Sequence, residues 1–136
     1  MSEIDKNKLV DIGKQVRDWA IKNREEYEFV DSDLCGMCAI ASSRLSKELK
    51  EKNIDCEIWE SESNAGNHVF VVANGFIIDV TATQYRMEDV VVEKVEDMKE
   101  YAIYKRKRKY KDHTHLISEQ QKSGWPEFQI IKKEHI

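Results

Sequence analysis

Asn67-His68-Val69-Phe70-Val71-Val72-Ala73-Asn74-Gly75-Phe76-Ile77-Ile78-Asp79-Val80-Thr81 is the stretch whose reading decides the fold. Two runs of β-branched and aromatic residues flank Asn-Gly, the pair that best tolerates the two positive φ angles of a type I′ turn. The stretch therefore predicts an antiparallel hairpin with a two-residue loop. With Ala73 facing Phe76, Asp79 falls opposite Phe70 and His68 opposite Thr81. His68 and Phe70 are two apart and share a face. Asp79 is thus diagonal to His68 at a Cα spacing of about 7–8 Å, within reach of two polar side chains leaning together. A slip of one residue would put them on opposite faces. The bland reading makes His68 a satisfied strand histidine and Asp79 the carboxylate of a turn. Against it, Asp79 stands between Ile78 and Val80, where an unpartnered carboxylate is costly.

Upstream, Asp31-Ser32-Asp33 offers helix-capping oxygens. Apolar positions at Met37, Ala41, Leu45 and Leu49 then repeat every four residues down to about Lys52, with Lys47, Glu48, Lys50 and Glu51 on the wet side. Cys38 falls in the first turn of this amphipathic helix or just before it. Unpaired amides and the positive end of the helix dipole there stabilise an anion, and the thiolate is the reactive form of cysteine. Gly36 lets the chain bend into the helix without crowding the sulfur. A thiol, an imidazole and a carboxylate that converge make a nucleophile, its base and the group that orients the base. The candidate catalytic residues are Cys38, His68 and Asp79.

Two other chemistries use the same atoms. Cys35-x-x-Cys38 at a helix start is the pattern of a thiol redox pair, but that arrangement needs a buried strand leading into it. The residues before it are Asn23-Arg24-Glu25-Glu26-Tyr27-Glu28, and the one proline, Pro126, is far away. Cys35, Cys38, Cys56 and His68 are four candidate zinc ligands, yet neither Cys56 nor His68 has a close ligand neighbour; the other close pair is His113-Thr114-His115. Cys56, in line with Ile54 and Ile58, reads as a small core residue. The sequence predicts no metal and, with no glycine-rich phosphate loop, no cofactor.

The order of these motifs resembles the transglutaminase-like branch of papain-like cysteine enzymes. That family shows a Gly-x-Cys, a helix ending near Gly-Ile about sixteen residues later, a His-Ala-Trp-Val-like strand and an Asp-Pro-Thr-like strand. Here the matches are Gly36-Met37-Cys38, Asn53-Ile54, His68-Val69-Phe70-Val71 and Asp79-Val80-Thr81-Ala82, within residues 34–85. Ile54 lies sixteen residues after Cys38, which selects Cys38 over Cys35 as the counterpart of the nucleophile. Phe70 stands where Trp is common, Val80 where Pro is usual and Asn53 where Gly is usual. The resemblance implies an α+β fold with a papain-like core, its nucleophile helix packed on an antiparallel sheet. It implies acyl transfer through a thioester on an amide of a protein or peptide: a peptidase, deamidase or cross-linker. Arylamine acetyltransferases share the core order, so small-molecule acyl transfer stays open. The Cys38 backbone amide is one candidate oxyanion donor.

The rest of the chain reads as support. Its 136 residues suit a single domain, 1–136. No apolar run is long enough to span a bilayer, and Met1-Ser2-Glu3-Ile4-Asp5-Lys6 lacks a signal peptide's core. Three cysteines without framework spacing suit a reducing cytoplasm. The net charge of −4 conceals a basic run, Lys105-Arg106-Lys107-Arg108-Lys109-Tyr110-Lys111. It offers a contact for nucleic acid or an acidic protein, and with it the alternative of a non-catalytic binding module. Acidic residues just upstream favour a solvated segment instead. Leu9, Ile12, Val16, Trp19 and Ala20 share a face of a helix over 5–23. Strands are expected from Ile54 to about Ser61, at Val90-Val91-Val92 and at Phe128-Gln129-Ile130-Ile131, the last after a turn at Gly124-Trp125-Pro126. Tyr101 to Tyr104 reads as a strand or as a helix continuing from Val95, and residues 60–66 as a polar loop beside His68.

Overall fold

The computed structural model describes residues 6–26, 37–63 and 66–122. Within them the chain is α+β: three helices and a five-stranded antiparallel sheet. Helix α1 spans Lys6–Asn23 and α2 spans Cys38–Glu51. Strands β1 (Glu57–Ser63), β2 (Gly66–Ala73) and β3 (Phe76–Asp79) follow, then β4 (Val91–Lys94), β5 (Arg108–Tyr110) and helix α3 (His113–Lys122). The strand order is β4-β3-β2-β1-β5, which leaves β2 central and puts β4 and β5 at the edges.

The β2–β3 hairpin has the register its turn dictates: Ala73 pairs with Phe76, Val72 with Ile77 and Val71 with Ile78. Asn74 and Gly75 both take positive φ, 52° and 81°. β1 extends the sheet by a second hairpin that sets Trp59 opposite Phe70 and Ser61 opposite His68.

Alternation along these strands builds two cores. On one face Ile58, Val69, Val71, Ala73, Ile78 and Val92 meet Leu9, Ile12 and Val16 of α1 and Ile40, Ala41, Leu45 and Leu49 of α2. On the other, Phe70, Val72, Ile77 and Val91 meet Met98, Ile103 and Tyr104 from the connection between β4 and β5. Helix α1 approaches the first face through Gly13, where an added Cβ would lie 2.7 Å from Val90 Cγ1. Helix α2 ends in a Schellman motif: the Ile54 amide donates to the Leu49 carbonyl and the Asn53 amide to that of Lys50, both at 2.9 Å. Asn53 supplies the left-handed residue at φ 60°.

Several expectations are corrected. α2 begins at Cys38 with Met37 at its cap position, and no side chain caps it. The expected cap residues 31–33, the turn at 124–126 and the strand at 128–131 lie outside the described residues. Residues 101–104 are neither strand nor a continued helix: single 3-10 turns at Val95–Met98 and Ala102–Tyr104 pack Met98, Ile103 and Tyr104 onto the sheet. Residues 60–63 are not loop but the end of β1, which starts at Glu57 rather than Ile54. Two of these polar side chains are accommodated by the fold: Ser61 is buried beside His68, and Glu60 accepts a hydrogen bond from the Tyr110 hydroxyl at 2.9 Å.

Candidate active site

Hairpin register alone puts His68 and Asp79 on one face, the face of Phe70 and Val72, and their side chains meet there. His68 Nε2 lies 2.6 Å from Asp79 Oδ2. Both groups are removed from water, His68 fully and Asp79 all but 3%. The carboxylate is saturated with donors. The Thr81 amide donates to Oδ1 at 2.9 Å and the Thr81 hydroxyl to the same oxygen at 3.3 Å, while the Tyr104 hydroxyl donates to Oδ2 at 2.8 Å. The Thr81 contacts arise locally, because the chain turns just beyond the end of β3. The Tyr104 contact is long-range, delivered by the 3-10 turn Ala102–Tyr104.

Burial opposes charge on both partners and is the largest effect on each. For His68 the Asp79 carboxylate, in charge and hydrogen bond, together with Cys38, outweighs it and pushes the imidazole up to about 10. For Asp79 the facing imidazolium and the donors Thr81 and Tyr104 outweigh burial and hold the carboxyl below its usual range. The pair is therefore an imidazolium–carboxylate pair at neutral pH. Aromatic rings wall it in: Tyr85 stands nearly perpendicular to the imidazole at 4.9 Å between centroids, with Tyr104 at 6.0 Å and Phe70 at 6.2 Å.

Cys38 reaches the pair from the opposite face of the sheet. Ser42 Oγ donates to the Val69 carbonyl at 3.1 Å, and Ser46 Oγ lies 3.4 Å from Cys56 Sγ, just before β1. Helix α2 therefore runs parallel to β2, with its start at the end of the sheet where His68 sits. There β3 has already stopped at Asp79, and the half-buried Cys38 thiol lies close enough to add to the raised proton affinity of the His68 ring. With Nε2 taken by Asp79, Nδ1 is the nitrogen left for it. Nδ1 makes no hydrogen bond among the described residues, to the Cys38 thiol or to any other group. Loose contacts of this kind are common in unliganded catalytic sites.

The other nominated residues are placed elsewhere. Cys56 packs against the helix-side core beside Ser46, and burial pushes its thiol up, as befits an inert structural cysteine. Cys35 and Gly36 lie outside the described residues. Among the described residues no three of His, Cys, Asp and Glu gather where they could hold a metal ion. Much of the basic run is engaged: Lys109 pairs with Glu57 at 2.8 Å, Arg108 with Glu119 at 2.9 Å, and Arg106 lies over the Trp59 ring at 5.3 Å. Among the described residues no helix is long and apolar enough to cross a membrane.

Sequence reasoning missed Tyr104 and Tyr85. The only available signal was that a buried carboxylate needs more donors than one histidine supplies, which does not say where in the chain they come from. No protein-family model, curated protein or solved structure matches this chain, and the site stands on its own geometry.

Proposed function

We propose that the chain is a cysteine-dependent acyl-transfer enzyme with a papain-like, transglutaminase-like core, in which Cys38 is the nucleophile, His68 the proton carrier and Asp79 its anchor. One observation carries the reading: the His68 ring is clamped by Asp79 at Nε2 and bare at Nδ1, with the Cys38 thiol as its neighbour. A buried histidine kept for packing would be expected to satisfy both nitrogens. Asn53, which stands where the family pattern has glycine, takes a left-handed conformation that glycine adopts at no steric cost.

The reaction follows from the charges. Cys38 attacks the carbonyl carbon of an amide as the thiolate, with the His68 imidazolium beside it as counter-ion. Backbone amides at the start of α2, where Met37 offers no side-chain cap, face the developing oxyanion. His68 then gives its Nδ1 proton to the leaving nitrogen, the C–N bond breaks, and a thioester remains on Cys38. In the second half the neutral imidazole takes a proton from water or an amine as that nucleophile attacks the thioester and the thiolate departs. Asp79 stays ionised throughout and fixes the ring. Water as acceptor gives a peptidase or deamidase; an amine gives a cross-linker. The substrate class is a protein or peptide amide.

The test is chemical. Iodoacetamide at about pH 6 should alkylate Cys38 far faster than a free thiol, and His68→Ala should abolish the advantage. A wild-type rate equal to that of a free thiol would end the proposal.

A further inference from the structure

We infer that Tyr104 is a positioning residue for this site: its hydroxyl shares Asp79 Oδ2 with His68 and thereby sets how tightly the carboxylate holds the imidazolium proton. The inference rests on the acyl-transfer reading for its purpose and on geometry for its substance. Asp79 Oδ2 lies 2.6 Å from His68 Nε2 and takes the Tyr104 hydroxyl at 2.8 Å, while Oδ1 is occupied by Thr81. Held at both oxygens, the carboxylate cannot rotate. Two donors on one oxygen also compete for the same electron density, so each weakens the grip on the other. Without Tyr104, the carboxylate would hold the proton on His68 more firmly and make the ring a poorer acid toward the leaving nitrogen.

Tyr104 is suited to a permanent donor role. It is buried, and burial together with the Asp79 charge pushes its phenol far above its ordinary range, so it keeps its proton wherever the protein is folded. Its ring is fixed by Phe70 at 5.2 Å and near-perpendicular, and by Tyr101 at 6.4 Å; the hydroxyl also points at Met87 Sδ, 3.9 Å away. Among the described residues, the titratable groups facing the His68–Asp79 pair are Cys38 from α2, Tyr85 from the turn Ala82–Tyr85 and Tyr104. Tyr101 acts on Tyr104 from behind.

The experiment is an NMR titration of the 15N-labelled His68 ring in wild type, in Tyr104→Phe and in protein carrying 3-fluorotyrosine at position 104. Phenylalanine keeps the ring packing and removes the donor. The His68 midpoint should rise by about one pH unit, a tenfold tighter proton, with the Nε2–H resonance moving downfield. Fluorotyrosine, a stronger donor of nearly the same shape, should move both the other way. A merely structural role predicts lower stability of Tyr104→Phe with the His68 midpoint unmoved, and that result would overturn the inference. The fluorinated protein decides the matter if the phenylalanine variant does not fold, since an unmoved midpoint there is equally fatal. Failure of the acyl-transfer reading looks different: wild-type Cys38 would alkylate like a free thiol whatever the His68 midpoint does in the variants.

Discussion

Asp79→Asn is the sharpest perturbation of the site, because it keeps the shape and removes the charge. The carboxylate accepts from Thr81 twice on Oδ1, while Oδ2 accepts from Tyr104 and faces His68 Nε2. An asparagine keeps its carbonyl oxygen on Thr81, since the opposite orientation would set its NH2 against the Thr81 amide. Its NH2 then faces His68 Nε2, which must become an acceptor. The ring loses its positive charge and its remaining proton moves to Nδ1, where it points toward Cys38. One charge-assisted pair and the Tyr104 bond, each worth about 1.5–3 kcal/mol, are exchanged for neutral bonds of about 0.5–1.5 kcal/mol. The expected loss of stability is roughly 2–3 kcal/mol, below the 3–5 kcal/mol typical when a buried ion pair loses one partner outright, because no bare charge is left behind. Taking away a charge partner worth about 1.5–3 kcal/mol should slow Cys38 alkylation at about pH 6 by roughly ten- to a hundredfold. Urea unfolding reads the first quantity, iodoacetamide kinetics the second, and the 15N shifts of His68 the tautomer. A variant that alkylates at the wild-type rate with its proton still on Nε2 would refute the reasoning.

The raised His68 and the lowered Asp79 make stability pH-dependent on both sides. The histidine contribution is complete below its ordinary value near 6.5 and is lost as pH rises through about 10, and the aspartate contribution is complete above about 4 and lost as pH falls through its lower folded value. Urea midpoints should therefore be highest between about pH 4 and 6.5 and fall on the alkaline side by on the order of 1 kcal/mol per pH unit, a slope that Asp79→Asn should flatten; an equal slope in the variant would show that other groups cause it. Gly13→Ala should destabilise despite alanine's helix advantage of about 1 kcal/mol, because the new methyl meets Val90 Cγ1 at 2.7 Å. Adding Val90→Ala should recover part of the loss, and a more stable Gly13→Ala would contradict the close approach of α1 to the sheet.

What the sequence made legible is what local rules govern. Asn74-Gly75 dictates a turn type, the turn dictates register, and register dictates that His68 and Asp79 share a face. Every step spans a few residues and each is met in the fold. The four-residue repeat likewise placed Cys38 at the start of α2. Where the reading went astray, the deciding contact was remote. Tyr101 to Tyr104 has the composition of a strand, yet Ile103 and Tyr104 are buried against the open face of the sheet in the 3-10 turn Ala102–Tyr104, where the Tyr104 hydroxyl also reaches Asp79. Residues 60–63 have the composition of a loop, yet they continue β1, because Ser61 and His68 are paired across the ladder. In both places long-range packing overrides local preference.

The same division explains the architecture of the site. A helix carrying Cys38 on one face of a sheet and a His–Asp pair on the other would normally be separated by a layer of backbone about as thick as a strand. They meet here because three local stops coincide: α2 starts at Cys38, β3 ends at Asp79, and His68 lies near the beginning of β2. Because α2 runs parallel to β2, all three fall at one end of the sheet. Had α2 run antiparallel, the same three residues in the same order would sit at opposite ends, some 20 Å apart for a helix of fourteen residues. The direction is fixed by the tight Schellman turn at Asn53, which lets the chain reverse from the end of α2 into β1, so that β2, returning alongside β1, runs with the helix again. Asn53 thus helps set the alignment of Cys38 and His68 from the far end of the helix, through topology rather than contact.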